Sequence, residues 1–176
     1  MADILTLTPR LLEERVEGAR LPAPTLGGVI RSAPLVWLQF LRHLGCIYCK
    51  GLVEDIRSFL QEWQQEPIPF LVYVHPNTIA EGEKFFERYH PGAAYIADPG
   101  LKLYRAFRVR RAKPWYFASM RSLRRFWELI RRGHSNDRPT SDPWVLHATI
   151  LFYQGKPIWT YYATNPGDIP KWPRKV

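Results

Sequence analysis

Apolar residues run almost unbroken from Pro34 to Leu41 (PLVWLQFL), a pattern that predicts a strand buried on both faces of a parallel or mixed sheet. Leu52, Val53, Ile56, Phe59, Leu60 and Trp63 then share one helical stripe, with Glu54, Asp55, Arg57, Ser58 and Glu62 opposite. That periodicity predicts an amphipathic helix. Pro67 opens a second apolar strand, Ile68 to Val74. Thr78 and Glu81 form a capping box for another helix, whose Phe85, Phe86 and Tyr89 face inward and which His90-Pro91-Gly92 ends. Ala93 to Ala97 reads as a third strand, closed by the turn Asp98-Pro99-Gly100. Strand, helix, strand, helix, strand argues for parallel strands joined by right-handed crossovers.

The flanks are less regular. Thr8 can cap a short helix with Pro9 at its first position, and Leu11, Leu12 and Val16 recur at helical spacing before Gly18. Residues 21–34 form a Pro/Gly-punctuated loop with a short strand at Val29 and Ile30 as its one candidate element. Leu101 to Phe107 predicts one or two helical turns. Residues 115–132 predict an amphipathic helix with Met120, Leu123, Phe126, Trp127 and Ile130 on its inner side and most arginines outside. After a polar loop from Gly133 to Pro143, Val145 to Tyr153 and Ile158 to Tyr162 form a hairpin around Gln154-Gly155-Lys156. The tail from Asn165 carries three prolines and cannot hold a long helix.

At 176 residues, the chain is expected to form one domain, residues 1–176, with an N-terminal helical extension over 1–20 and a basic insertion over 108–143. Its 46% apolar and 23% charged composition excludes a disordered chain. No apolar run is long enough to cross a membrane and no secretory leader is legible at the start, so the expected address is cytoplasmic. The formal charge of +9 is concentrated: eleven basic residues lie between Leu101 and Arg132, against Glu128 alone. Such a block reads as a solvated helix face, as a lid or partner surface near the cysteines, or as an interfacial helix on anionic membrane.

Cys46-Ile47-Tyr48-Cys49 is the constellation with a sharp chemical meaning. It stands where a helix begins after a buried strand. Free amides and the positive end of the helix dipole favour a thiolate at Cys46, and Arg42 and His43 just upstream add positive potential. Cys49, one turn on, can attack a sulfenic acid or mixed disulfide at Cys46 and close a disulfide. Two alternatives stay open: the pair could be buried structural thiols, or two ligands of a metal site. A structural zinc centre needs four ligands, and neither a second CxxC nor a paired histidine motif is present. Lys50 stands where a c-type haem site requires histidine. Neither metal nor cofactor is therefore expected.

The run Phe40-Leu41-Arg42-His43-Leu44-Gly45-Cys46-Ile47-Tyr48-Cys49-Lys50, continued by Leu52-Val53-Glu54-Asp55, resembles the peroxiredoxin-like proteins. These belong to the alkyl hydroperoxide reductase/thiol-specific antioxidant group of the thioredoxin-like superfamily. Tyr95-Ile96-Ala97-Asp98-Pro99, Leu103-Tyr104-Arg105 and the hairpin at Thr149 to Ile158 extend the likeness over roughly residues 18–165. Gln39 and His43 stand where that group carries a proline and a threonine before its attacking cysteine. The resemblance implies a thioredoxin-like α/β fold: a central mixed sheet with flanking helices, here with an inserted basic amphipathic helix. It also implies a thiol peroxidase or thiol–disulfide oxidoreductase with Cys46 attacking and Cys49 resolving, a peroxide or disulfide substrate and an external thiol reductant. A homodimer is compatible with it, and no specific nucleic acid is expected. The rival expectation is a non-enzymatic binding module whose basic helix docks an acidic partner, nucleic acid or membrane surface; its mark would be association that weakens steeply with salt and survives loss of both cysteines.

Overall fold

The structure, a computed structural model, describes residues 7–173. Leu35–Phe40 (β2) is buried at every position, and its side chains alternate between two cores as the period of a strand requires. Val36, Leu38 and Phe40 join Leu26, Val29, Ile30, Leu103, Tyr104 and Phe107 on one face. Trp37 and Leu41 join Val53, Ile56, Phe85 and Phe86 on the other. Strand β2 also has a neighbouring strand on each edge, so it lies inside the sheet. The order is β1-β4-β3-β2-β5-β6, where β1 is Glu17–Ala19, β3 Phe70–His75, β4 Ala94–Ala97, β5 Ala148–Tyr153 and β6 Lys156–Tyr162. Strands β2, β3 and β4 run parallel, and β5, β6 and β1 are antiparallel to their neighbours. Helices Ile47–Gln61 (α3) and Ile79–Tyr89 (α4) make the parallel crossovers, and α4 has the predicted capping box between Thr78 and Glu81. The predicted mixed sheet with flanking helices is thus present.

Four local expectations change. The N-terminal helix, Pro9–Leu12 (α1), is capped by Thr8 as predicted but stops before Val16. The chain leaves it to lay β1 along β4, so backbone pairing overrides the helical spacing; residues 1–6 of the expected extension lie outside the described residues. Val29 and Ile30 sit in a short helix, Leu26–Ile30 (α2), where Thr25 accepts the Gly28 amide as its cap. The hairpin turn tightens so that β6 begins at Lys156.

The largest change is in Met120–Arg131 (α6). Its buried residues are Ser122, Arg125 and Leu129, while Met120, Leu123, Trp127 and Ile130 are exposed. The apolar stripe therefore faces outward, opposite to expectation. The reason is ionic and steric: the inner face binds α3 through Arg125 and Asp55, and Leu129 seats against Gly51, where a Cβ would come within 2.2 Å of the leucine. After β6 no further helix occurs among the described residues; instead Trp172 of the tail packs on Trp37 and Phe59, with ring centroids 5.5 and 5.2 Å away.

Candidate active site

Strand β2 ends at Phe40, and the six residues Leu41 to Cys46 carry the chain to the start of α3. Cys46 is the N-cap of α3 and uses no side-chain hydrogen bond to cap it, so its sulfur is free for other partners at the positive end of the helix. Cys49 lies in the first turn. Both are free thiols and almost wholly buried, 2% and 1% exposed.

Burial in an apolar setting normally protonates a thiol. Here it is opposed. Arg42 donates from Nη1 to the Cys46 sulfur at 2.7 Å. Its Nε donates to the Val145 carbonyl at 3.0 Å and its Nη2 to the Pro143 carbonyl at 2.7 Å. The guanidinium carbon also lies 4.9 Å from the centre of the Phe117 ring. Held at three points and stacked, the guanidinium cannot swing away from the sulfur. Desolvation pushes the Cys46 thiol up, but the hydrogen bond with Cys49 and the positive charges of Arg42 and His43 outweigh it and hold that thiol well below the ordinary value. Burial pushes Cys49 well up, and so does the same bond, in which it keeps its proton. The pair is thus divided into a thiolate and a thiol that donates to it. His43, directly after Arg42, has its pKa lowered chiefly by burial, while the neighbouring Cys46 pulls it up.

A strap built from the loop after α6 covers the two sulfurs. Asn136 accepts the Ile47 amide through its side-chain oxygen at 3.1 Å, and the Asp137 amide donates to the Gly45 carbonyl at 2.9 Å. Arg138 passes so close that a Cβ at Gly45 would sit 2.5 Å from its carbonyl oxygen; any larger residue there would lift the strap. Lys50 reaches Asp137 at 2.6 Å and the Ser135 carbonyl at 2.7 Å. From the other side, Asn77 after β3 accepts the Leu44 amide and the Ser141 hydroxyl, and donates to Thr140 at 2.6 Å. One side chain therefore ties the cysteine loop to the strap.

The structure brings Cys46, Cys49, Arg42 and His43 together as their spacing suggested. Sequence reasoning missed Phe117, Asn77, Lys50, Asn136 and Asp137. A lysine within an otherwise apolar helix turn was the one available signal for Lys50; the others come from distant segments with no local pattern. Among the described residues no cluster of side chains could hold a metal ion; His75 and His147 are buried apart, each with its pKa lowered to about 4 by desolvation.

A mixed sheet of this order with a CxxC opening its first crossover helix is the thioredoxin-like arrangement. Residues 53–165 match the family model described as AhpC/TSA antioxidant enzyme, which is more than half of the chain, and the protein belongs to that family. The match begins just beyond the cysteines, so it rests on the sheet and helices that support the site. Among solved structures, the bacterioferritin comigratory protein of Xanthomonas campestris, described for its alkyl peroxide reduction, superposes with a TM-score of 0.63 at 12% identity, covering 92% of this chain and 86% of that one. Peroxiredoxin Q of the same organism gives 0.63 at 14%, with 89% and 84% covered. A cysteine mutant of Xylella fastidiosa PrxQ gives 0.60 at 14%, with 96% and 88% covered. At these identities the likeness speaks for the fold. No curated protein matches the chain in sequence.

Proposed function

We propose that this protein reduces peroxides through Cys46 and Cys49. The observation that carries the proposal is the Cys46 sulfur held between the Arg42 guanidinium and the Cys49 thiol at the start of α3. The Cys46 thiolate attacks one peroxide oxygen; the O–O bond breaks, and the departing alkoxide takes a proton to leave as an alcohol. Arg42 stabilises the charge as it passes from sulfur to oxygen. Cys49 then attacks the sulfenic sulfur, an S–S bond forms, and the hydroxyl departs with the Cys49 proton as water. Two equivalents of an external thiol return the pair to its starting state. Family membership supports the same chemistry.

Both sulfurs are buried, and in this reading the strap over residues 133–143 shifts to admit peroxide to Cys46. A small peroxide needs less displacement than a protein disulfide does. Disulfide reduction is the second reading, favoured by the one-turn spacing of the pair. We place the protein in the cytoplasm, where thiol reductants are abundant; no helix among the described residues is long and apolar enough to cross a membrane.

The test is chemical. Cys46→Ser abolishes peroxide consumption, and Cys49→Ser leaves one turnover and accumulates a sulfenic acid that dimedone traps, read by mass spectrometry. Unchanged peroxide consumption and disulfide reduction in Cys46→Ser would refute the proposal. A redox titration separates the two readings, since a potential near that of thioredoxin, about −270 mV, marks a reductase.

A further inference from the structure

Helix α6 turns to solvent the face that its sequence marks for burial. Met120, Leu123, Trp127 and Ile130 fall at i, i+3, i+7 and i+10 and are 81%, 43%, 59% and 39% exposed. Trp115, in the turn just before the helix, is also exposed. The helix does not need this stripe to stay in place. Its opposite face is fixed to α3 by Leu129 against Gly51, by Arg125 on Asp55, by Arg132 on Glu54 and Asp55, and by Tyr48 donating to the Ser122 carbonyl.

The arginines divide in the same way. Arg125 and Arg132 are paired inward, and Arg121 pairs with Asp168 at 2.8 Å. Arg124 and Arg131, each four residues after Met120 and Trp127, line one edge of the stripe. Both are exposed and make no ion pair among the described residues. Whatever covers this face must therefore supply apolar area and negative charge side by side.

A second copy of the chain supplies only the first. An antiparallel two-fold pairing sets the Arg124/Arg131 edge against its own copy. Glu128, the one acid between Leu101 and Arg132, is already held by Arg125 and lies 3.6 Å from Arg132. A nucleic acid would satisfy the arginines and leave Met120, Leu123 and Ile130 in water. An anionic bilayer supplies both: a helix with Trp and Leu on one face and arginines beside them lies in the headgroup plane. We propose that α6 docks this protein on an anionic lipid surface, with Met120, Leu123, Trp127 and Ile130 at the acyl boundary and Arg124 and Arg131 at the lipid phosphates. Attachment is peripheral and electrostatically assisted, and it is independent of the redox chemistry assigned to the cysteines.

The experiment is co-sedimentation of the full chain with vesicles of phosphatidylcholine alone and of phosphatidylcholine mixed with phosphatidylglycerol. Partitioning is expected on the anionic vesicles only, weakening as salt rises. Leu123→Ser with Trp127→Ser, and separately Arg124→Glu with Arg131→Glu, lower it by about tenfold or more. All four positions are exposed, so melting temperature and peroxide consumption stay at the parent level. Brominated acyl chains quench the parent more than Trp127→Phe. Equal binding to neutral vesicles, no binding to either, or indifference to both double variants overturns the proposal. So does a dimer that Leu123→Ser with Trp127→Ser dissociates, or capture of an acidic amphipathic peptide by a protein that ignores the vesicles.

Discussion

At the residue scale the site is defined by a competition between burial and charge at one sulfur. Arg42 decides it, because its Nη1 sits 2.7 Å from Cys46 while carbonyls hold the rest of the guanidinium. Arg42→Met keeps the volume of the side chain and removes the charge; the pH midpoint for alkylation of Cys46 by iodoacetamide then moves up by about one to three pH units. An unchanged midpoint would show that the helix terminus and Cys49 suffice. The same ionisation has a consequence for stability. Cys46 ionises in the folded state below the ordinary thiol value of about 8.5, so between its lowered pKa and that value the unfolded chain binds more protons than the folded one. Folding therefore gains stability as pH rises through this window and loses it as pH falls through the lowered pKa. Above about 8.5 the raised Cys49 works in the opposite direction. The melting temperature of the parent accordingly rises toward about pH 8.5 more steeply than that of Cys46→Ser, measured by calorimetry across the range.

At the scale of elements, α6 and the strap form a cover anchored to α3, the helix that carries both sulfurs. Leu129 is fully buried at the contact with Gly51. Leu129→Ala should cost roughly 2–5 kcal/mol of stability, read by urea unfolding, and should speed Cys46 alkylation because the cover loosens. Lys50→Met separates the two effects. The lysine stem is buried and its ammonium pairs with an Asp137 that is itself largely exposed, so methionine can fill the same space while Asp137 returns to water. Alkylation of Cys46 should accelerate severalfold with a change in stability of no more than about 1–2 kcal/mol. Equal alkylation rates in the parent and Lys50→Met would mean that the strap does not gate the site.

At the scale of the whole molecule, stability is layered as the sheet is. Strand β2 lies between β3 and β5 with a core on either face, whereas the strap is held by side-chain ties alone over most of its length. Native-state hydrogen exchange should therefore be slowest in the amides of β2 and β3 and fast in residues 135–142. Protection of the strap equal to that of β2 would contradict a cover that opens during turnover. The charge distribution belongs to this scale too. The segment from Leu101 to Arg132 holds the entire positive excess of the chain, and on α6 Arg124 and Arg131 stay exposed with no ion pair among the described residues.

Much of this was legible beforehand. An eight-residue apolar run, short for a helix and bounded by turn residues, fits a strand buried on both faces, the Thr78/Glu81 box starts its helix by local hydrogen bonding alone, and a cysteine at the first turn of a helix meets a positive end whatever surrounds it. These are interactions between residues close in sequence, and they placed β2, α4 and the Cys46–Cys49 pair. What required the folded chain depends on partners far apart along it. The helical spacing at Val16 yielded to pairing of β1 with β4, the stripe on α6 was turned outward by Asp55 and Gly51, and the strap was bound down by Asn77 and Lys50. Periodicity shows that a face differs from its opposite, but which of the two is buried depends on the charges and volumes already present on the surface it meets.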